Sequence, residues 1–187
     1  MDRQDDVAAV VLAAGESRRF GSPKQLARLE GRTLLEHVLD TARLADLRPV
    51  VAVVPVWLTR PAALDDPALI WVRNPHPERG MSHSLKLGFA ALPRTVVAAV
   101  ILLGDQPGVP PEHLRALLAA RGTVPFVATV TDGIPQPPLL VEREQFAAVT
   151  ELGGDAGLRD LLRGGSHAVA AVPSQTIADI DTPADLQ

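Results

Sequence analysis

A glycine-rich, basic segment follows the first apolar run of the chain. Five residues separate Gly15 from Gly21, and Arg18, Arg19 and Lys24 place positive charges around them. Glycine lets backbone N–H groups approach an anion closely, and arginine and lysine add charge-assisted hydrogen bonds. The segment is neither a P-loop, because no glycine directly precedes Lys24, nor a G-x-G-x-x-G motif. The residues alone leave two interpretations open: a phosphate-binding loop, or a surface loop with solvated charges.

Aspartates at distant positions could supply oxygen ligands to a hard cation. Asp105 closely follows the most apolar run of the chain, and Asp179 and Asp181 lie near its end. Mg²⁺ is usually bound by one or two carboxylates together with substrate phosphates. Each aspartate also has a structural interpretation, because Asp105 precedes a turn-like Gln-Pro-Gly segment and the other two precede a Thr-Pro pair typical of a helix start. Only the fold can bring Asp105 and Asp181 together.

Histidine and tryptophan give weaker signals. His37 and His113 fall in predicted helices and are expected at the surface. The sequence contains no His-x-x-x-His spacing of the kind that binds zinc. Trp57 and Trp71 are expected to pack in the protein rather than to stack on a ligand.

Apolar runs alternate with amphipathic segments along the chain. Residues 7–13 form a continuous apolar run typical of a buried parallel strand, and residues 96–103 form the most apolar run, expected at the centre of a sheet. Thr33 and Glu36 have the spacing of a capping box at a helix start. The prolines in 133–138 argue against a central strand there. Further strands are predicted at 50–54, 69–72, 124–130, 139–141, 168–172 and 176–180, and further helices from Ser82 or Ser84 to 92, from Pro110 or Pro111 through 118, at 144–152 and 156–162, and from Pro183.

This alternation predicts an α/β fold, a three-layer α/β/α sandwich with a mostly parallel sheet. Ligands of such sheets bind beyond the carboxyl ends of the strands, so the segments after residues 13 and 103 are the expected site. No repeat, low-complexity tract or linker divides the chain, which predicts a single domain over residues 1–187.

Composition excludes several classes of protein. The 187 residues carry 18 basic and 22 acidic side chains, a net charge of −4 that disfavours nucleic-acid binding. The absence of cysteine excludes disulfides, thiolate metal sites and a cysteine nucleophile. No apolar run reaches the roughly 18 residues of a membrane helix, and the start MDRQDD lacks signal-peptide character. We therefore expect a soluble cytoplasmic protein with neither a membrane nor a nucleic-acid partner.

Residues 12–24 read L-A-A-G-x-S-x-R-Φ-G-x-x-K, with Phe20 at the large apolar position Φ. This pattern resembles the signature of the nucleotidyltransferase superfamily that includes the molybdenum cofactor cytidylyltransferases. Further segments similar to that family follow in order along nearly the whole chain. They are Asn74-Pro75, Gly80-Met81-Ser82-His83-Ser84-Leu85, Leu103-Gly104-Asp105-Gln106-Pro107, the stretch from Leu152 to Arg159 and the stretch from Asp179 to Leu186.

The resemblance implies a Rossmann-like nucleotidyltransferase fold and a role for each matching residue. The implied nucleotide-binding residues are Leu12, Ala13, Ala14, Gly15, Arg19, Lys24, Asn74, Gly80 and Ser84. The implied catalytic residues are Lys24, Arg19 and Asp105, the implied Mg²⁺ ligands are Asp105 and Asp181, and the implied acceptor-binding residues are Asp155 and Arg159.

The activity implied is transfer of CMP from CTP to a phosphorylated acceptor, molybdopterin in the first place, with release of pyrophosphate and handover to a molybdoenzyme or its chaperone. Ala14 favours CTP, because relatives that use GTP tend to read L-A-G-G there. Gln136 and Pro137 replace the Gly and His of the family's G-x-P-G-H-P, which leaves the acceptor open. The alternatives are a nucleotidyltransferase, possibly using GTP, for another phosphorylated metabolite, or a non-catalytic cofactor-handling protein of the same fold.

Overall fold

The computed structural model describes residues 6–15, 17, 20–122, 124–153, 158, 162, 168–174, 180 and 182–186. The predicted segments 156–162 and 176–180 lie almost wholly outside these residues. No helix in the described part of the chain is long and apolar enough to cross a bilayer. The strands are β1 (Val7–Leu12), β2 (Arg28–Leu29), β3 (Arg32–Thr33), β4 (Val50–Pro55), β5 (Leu69–Asn74), β6 (Ala98–Leu103), β7 (Phe126–Thr131), β8 (Ile134–Glu142) and β9 (Val169–Pro173). The α-helices are α1 (Leu34–Leu44), α2 (Met81–Ala90), α3 (Pro111–Ala119) and α4 (Phe146–Glu151), and short 3₁₀ helices span Lys24–Leu26, Ala62–Leu64, Pro77–Arg79, Arg143–Gln145 and Pro183–Leu186.

Seven of the described strands form one sheet in the order β5-β4-β1-β6-β8-β7-β9. Strands β5, β4, β1 and β6 are parallel to one another, and β7 is parallel to β9. Strand β8 is antiparallel to both β6 and β7. The mostly parallel sheet is therefore confirmed, with the most apolar strand, β6, at its middle as predicted.

Helices cover both faces of this sheet. Ala9 and Val11 of β1 belong to a core cluster with α1 and α3, whereas Ala8 and Val10 belong to a second cluster with α2 and α4. Successive strand residues point to opposite faces, and burying each Val or Leu stabilises the fold by roughly 1.5–3 kcal/mol. The unbroken apolar run of β1 is therefore what a strand between two helical layers requires, and the predicted three-layer Rossmann-like fold is confirmed.

The helices that flank the site begin differently. At α1 the Thr33 hydroxyl accepts the Glu36 N–H at 3.2 Å, and the Glu36 carboxylate accepts the Thr33 N–H at 2.7 Å, which confirms the predicted capping box. The hydrogen bond from the Thr33 backbone holds the pKa of Glu36 below its ordinary value. The predicted serine cap of α2 is wrong: the helix follows Gly80, at φ 81°, and Ser82 and Ser84 are buried inside it.

The proline-rich residues 134–138, where the prolines argued against a central strand, form the first half of strand β8 in the interior of the sheet. Strand β8 pairs with β6 only from Leu139 to Glu142, so the prolines at 135, 137 and 138 make no ladder pairs with β6. Toward β7 the register shifts between Ala128 and Thr129, and the Thr129 hydroxyl donates to the Pro138 carbonyl at 2.8 Å. Proline lacks an N–H donor, and here it occupies the half of the strand with a single neighbour.

Three side chains differ from the sequence expectation in their exposure. His113 is buried, with Nε2 2.8 Å from the Thr129 hydroxyl, and this burial lowers the pKa of His113. His37 is half-buried, with Nε2 2.8 Å from the Leu29 carbonyl oxygen. Trp71 packs against the first core cluster as expected, but Trp57 is 52% exposed.

Candidate active site

The carboxyl ends of β1 and β6 meet at one edge of the sheet. Leu12 is paired with Leu103, and the Gly104 N–H donates to the Leu12 carbonyl at 2.9 Å. A Cβ on Gly104 would lie only 2.8 Å from the Ala13 Cβ, closer than real Cβ atoms approach. The short side chain of Ala13 and the missing one of Gly104 therefore allow the loop after β1 to pack against the turn that carries Asp105.

A cleft of about 560 Å³ opens at this edge. This volume lies within the roughly 300–1,000 Å³ of small-molecule sites. The loop after β1, the end of β6 with its following turn, and the start of α2 contribute its walls. Its described lining residues are Leu12, Ala13, Ala14, Gly15, Ser17, Phe20, Lys24, Gln25, Pro77, Glu78, Gly80, Met81, Ser84, Leu103, Gly104 and Asp105.

An ion pair joins the two sides of the cleft. Lys24 Nζ lies 2.8 Å from Asp105 Oδ2, across 81 positions of sequence, and the side chains are 12% and 32% exposed. The Lys24 backbone N–H also donates to the Ser17 hydroxyl at 3.1 Å, which ties the lysine to the glycine-rich loop. The fold thus brings two predicted site residues together, a cation that can bind phosphate oxygens and a carboxylate that can bind a metal ion.

Gln25 is a cleft residue that the sequence reasoning missed. The side chain is 6% exposed, and its Nε2 donates to the carbonyl oxygens of Ala13 and Gly15, each at 2.8 Å. These bonds hold the loop after β1 in one conformation. The only signal in the sequence is its place beside Lys24, where a glutamine would ordinarily be taken for a surface residue.

Asn74 supports the cleft from behind. It is fully buried, and its Nδ2 donates to the Ser84 Oγ at 3.0 Å, while its Oδ1 accepts the His76 N–H at 2.8 Å. Ser84 and Gly80 line the cleft, whereas Asn74 is not among the described lining residues. Asn74 therefore orients the start of α2 through Ser84 rather than facing the cleft itself.

The rim beside α2 carries a carboxylate and two imidazoles. Glu78 lines the cleft, and its Oε1 lies 3.1 Å from His76 Nδ1. A hydrogen bond from its own backbone, together with the His76 contact, lowers the pKa of Glu78. Burial, and then the positive charge of Arg79, lower the pKa of His83, whose ring meets His76 edge-on at 6.0 Å between centroids.

The oxygen donors of the cleft suit a hard cation. Asp105 and Glu78 both line it, and Mg²⁺ typically takes one or two carboxylates together with substrate phosphates. Within the described residues, no group of three or more His, Asp or Glu side chains forms a protein-only metal site. The two lining carboxylates are compatible with a cation that a bound phosphate also coordinates.

Several predicted site residues lie outside the described part of the chain. They are Arg19 of the loop, the acceptor-binding pair Asp155 and Arg159, and the aspartates Asp179 and Asp181.

The fold is that of a Rossmann-like nucleotidyltransferase, and the cleft lies at the carboxyl edge of its sheet. Residues 9–172 match the MobA-like NTP transferase domain, and the chain belongs to this family. Family membership confirms the coarse expectation of an enzyme that acts on nucleoside triphosphates.

Similarity to known proteins extends along most of the chain. The purine catabolism protein PucB of Bacillus subtilis is 32% identical, with 97% of this chain and 94% of that protein covered. The bifunctional protein GlmU of Halorhodospira halophila is 38% identical over 67% of this chain, but the match spans 27% of that protein. The crystal structure of Rv0371c from Mycobacterium tuberculosis has a TM-score of 0.83 and 29% identity, with 96% of this chain and 95% of that chain covered. A structure of Rv0371c in complex with manganese has a TM-score of 0.76 and 26% identity, with 94% of this chain and 91% of that chain covered.

Proposed function

We propose that residues 1–187 form a single nucleotidyltransferase domain that transfers CMP from CTP to a phosphorylated small molecule, molybdopterin in the first place, with release of pyrophosphate. The observation that carries this proposal is the ion pair of Lys24 and Asp105 in a cleft bounded by the loop after β1. A cation and a carboxylate side by side in such a cleft are what a triphosphate and its counter-ion need.

The nucleotide lies along the loop after β1 in this proposal. Leu12, Ala13, Ala14 and Gly15 line the cleft and bring their backbone close to the ligand. Lys24 and Arg19 bind the phosphates, because cations form strong hydrogen bonds to phosphate oxygens. Gly80 and Ser84 form the opposite wall, and Asn74 orients Ser84 through its 3.0 Å hydrogen bond.

In the reaction, an oxygen of the acceptor's phosphate attacks the α-phosphorus of CTP. The bond from that phosphorus to the bridging oxygen of the β-phosphate breaks, and pyrophosphate takes the electron pair. Lys24, with Arg19, neutralises the charge that develops on the leaving pyrophosphate, and the loop holds the reacting atoms in line. Asp105 and Asp181 would hold Mg²⁺, which when bound supplies neutralisation and alignment of phosphate oxygens.

The choice of CTP rests on Ala14. This residue is buried in the cleft wall at 3% exposure, so its methyl group occupies space that a glycine would leave open. Small groups beside a base discriminate by roughly 1–3 kcal/mol, about 10–200-fold. GTP is therefore the second candidate nucleotide, disfavoured but not fully excluded.

The acceptor is assigned to the side of the site that includes Asp155 and Arg159. Gln136 and Pro137 depart from the family motif, and the Gln136 Nε2 donates to the Thr131 hydroxyl at 2.9 Å. The Gln136 amide therefore makes its hydrogen bond inside the protein. Because the family's Gly and His are missing at 136 and 137, another small phosphorylated metabolite is the second candidate acceptor. The similarity to a purine catabolism protein is compatible with either acceptor.

A cytoplasmic enzyme of this kind would hand its product to a molybdoenzyme or its chaperone. A non-catalytic cofactor-handling protein is the alternative of a different class. The ion pair argues for turnover, because cofactor storage alone does not require a lysine and a metal-binding carboxylate at 2.8 Å.

The test is release of pyrophosphate from each of the four nucleoside triphosphates, with and without molybdenum-loaded pterin, in the presence of Mg²⁺. The proposal expects release from CTP that depends on the pterin and on Asp105. Asp65→Asn is the matched control for Asp105→Asn, because the Asp65 side chain is 94% exposed and does not line the cleft. Release with GTP only, or with another phosphorylated acceptor only, would support the corresponding alternative, and no release under any condition would support the binding protein.

A further inference from the structure

A third hydrophobic cluster is separate from the two that cover the faces of the sheet. Its buried members are Phe20 at 8% exposure, Leu34 at 0% and Ile180 at 8%. Ala27 and Leu29 are partly buried and pack against them. The cluster therefore joins the glycine-rich loop, the start of α1 and the chain near residue 180. Phe20 is also a lining residue of the cleft, so the cluster lies directly behind the site.

Ile180 also contacts the turn that carries Asp105. Its backbone N–H donates to the Asp105 carbonyl oxygen at 3.0 Å. This hydrogen bond restrains the peptide next to the carbon atom that bears the carboxylate. The residue before Asp105 is restrained as well, because the Gly104 N–H donates to the Leu12 carbonyl at 2.9 Å. Ile180 thus contacts the loop after β1 with its side chain and the turn after β6 with its backbone.

The third cluster belongs to the surroundings of the cleft and not to the layers of the fold. None of its described members lies on a strand of the seven-stranded sheet. Lys24, which pairs with Asp105 at 2.8 Å, follows Phe20 by four residues in the same loop. The separation of loop and turn sets the separation of this cation and this carboxylate. A residue that contacts both segments therefore controls the geometry of the pair.

We propose that Ile180 is a positioning residue for the transfer reaction. Its side chain supports the loop of Phe20 and Lys24, and its backbone supports the turn of Asp105, so that both charges stay where the nucleotide and its cation need them. This inference rests on the proposed function and adds to it a residue that acts through its neighbours, since Ile180 is not among the described lining residues of the cleft. A displacement of about 1 Å can cost about 100-fold in rate, and residues that orient a metal ligand are typically worth about 10–100-fold.

Hydrogen exchange of the free protein, followed by mass spectrometry, tests the positioning without any substrate. Ile180→Ala shortens the side chain in the third cluster and keeps the backbone N–H. Exchange should become faster in peptides that cover 20–27 and 103–109 and stay slow in the strands of the sheet, because the lost contacts are local. Ile70→Ala is the matched control, since Ile70 packs against the second core cluster from β5. It should increase exchange around β5 and not in those two segments.

Release of pyrophosphate measures the consequence for turnover, with the nucleotide and acceptor that the unmodified protein uses. Ile180→Ala should lower kcat about 10- to 100-fold. The KM for the nucleotide should change much less, because Lys24 remains available to the phosphates. Ile180→Val, which retains a branched side chain, should recover most of the lost kcat, and Ile70→Ala should keep the kcat of the unmodified protein.

Normal kcat in Ile180→Ala, unchanged exchange in both segments, or an equal loss of kcat in Ile70→Ala would each overturn the inference and leave the proposed function intact. If Ile180→Ala unfolds, the exchange of Ile180→Val is measured in its place. A rise confined to 20–27 and 103–109 then supports the inference, and a rise across the whole sheet overturns it, because it assigns Ile180 to general stabilisation. Absence of pyrophosphate release from the unmodified protein would overturn the proposed function and this inference together.

Discussion

Removal of the Lys24 charge should weaken nucleotide binding far more than folding. Lys24→Met retains most of the buried stem and deletes the ammonium that lies 2.8 Å from Asp105. A hydrogen bond from a charged group is worth about 1.5–3 kcal/mol, so the Kd for CTP should rise about 10- to 150-fold. The substitution also leaves the negative charge of Asp105 near the triphosphate without its cation. We therefore expect the rise in Kd to lie at the upper end of this range. In the free protein the pair contributes no more than about 1 kcal/mol, because Asp105 is 32% exposed to water.

The assay is calorimetric titration with CTP and Mg²⁺ in the absence of acceptor, alongside urea denaturation of the same samples. Lys86→Met is the matched control, because Lys86 is the other lysine of the chain and lies exposed on α2. A substitution on such a surface usually changes a free energy by less than about 0.5 kcal/mol. If the two variants bind CTP equally well, Lys24 is a solvated side chain and its assigned role is wrong.

Asp105→Asn should lower turnover by about 100-fold or more at saturating Mg²⁺, with little change in stability, because it removes charge and not volume. Near-normal turnover in the pyrophosphate assay would contradict the assignment of Asp105 to Mg²⁺ binding. Gly88→Ala should destabilise the fold by about 1–2 kcal/mol, because its Cβ would lie 2.5 Å from Val10 Cγ1, and an unchanged melting temperature would show that α2 can move away from β1. Burial lowers the pKa of His113, so the unfolded chain binds a proton that the folded chain resists, and stability should fall as pH drops below the ordinary histidine pKa of about 6.5. Urea denaturation at about pH 8 and about pH 5.5 should show a lower free energy of unfolding at the lower pH in the unmodified protein and a smaller decrease in His113→Gln. Equal decreases in the two proteins would show that other groups cause the pH dependence.

Rules that use only neighbouring residues were sufficient to predict the parallel strands of the sheet and the helices that cover them. The apolar run of β1 has to be covered on both faces, and that requirement already implies helical layers on both sides. The capping box of Thr33 and Glu36 depends on residues three apart, so it can be read without any knowledge of the fold. The glycine-rich loop was located for the same reason, because its glycines and cations are close neighbours in sequence.

The prolines of β8 argued against an interior strand because proline has no backbone N–H to donate to a neighbouring strand. Whether that donor is needed depends on whether a neighbouring strand pairs at that position, and β8 pairs with β6 only from Leu139 onward, after the last of the prolines. The exposure of His113 was predicted wrongly for a similar reason: it lies on α3, its partner Thr129 lies on β7, and neither residue has an apolar side chain that would predict burial.

The sequence by itself determined which segments form β1, β4, β6 and α1, and it determined that a basic loop follows β1, because these features arise from residues within one turn or one strand of each other. Only the tertiary structure decided that Asp105 meets Lys24, since their 81-residue separation is closed by the parallel pairing of β1 and β6. It also decided that Gln25 is buried, with an amide oxygen that has no hydrogen-bond partner among the described residues, and that Trp57 is half exposed. Burial and hydrogen-bond satisfaction are properties of what surrounds a side chain, and those surroundings come from elements far away in the chain.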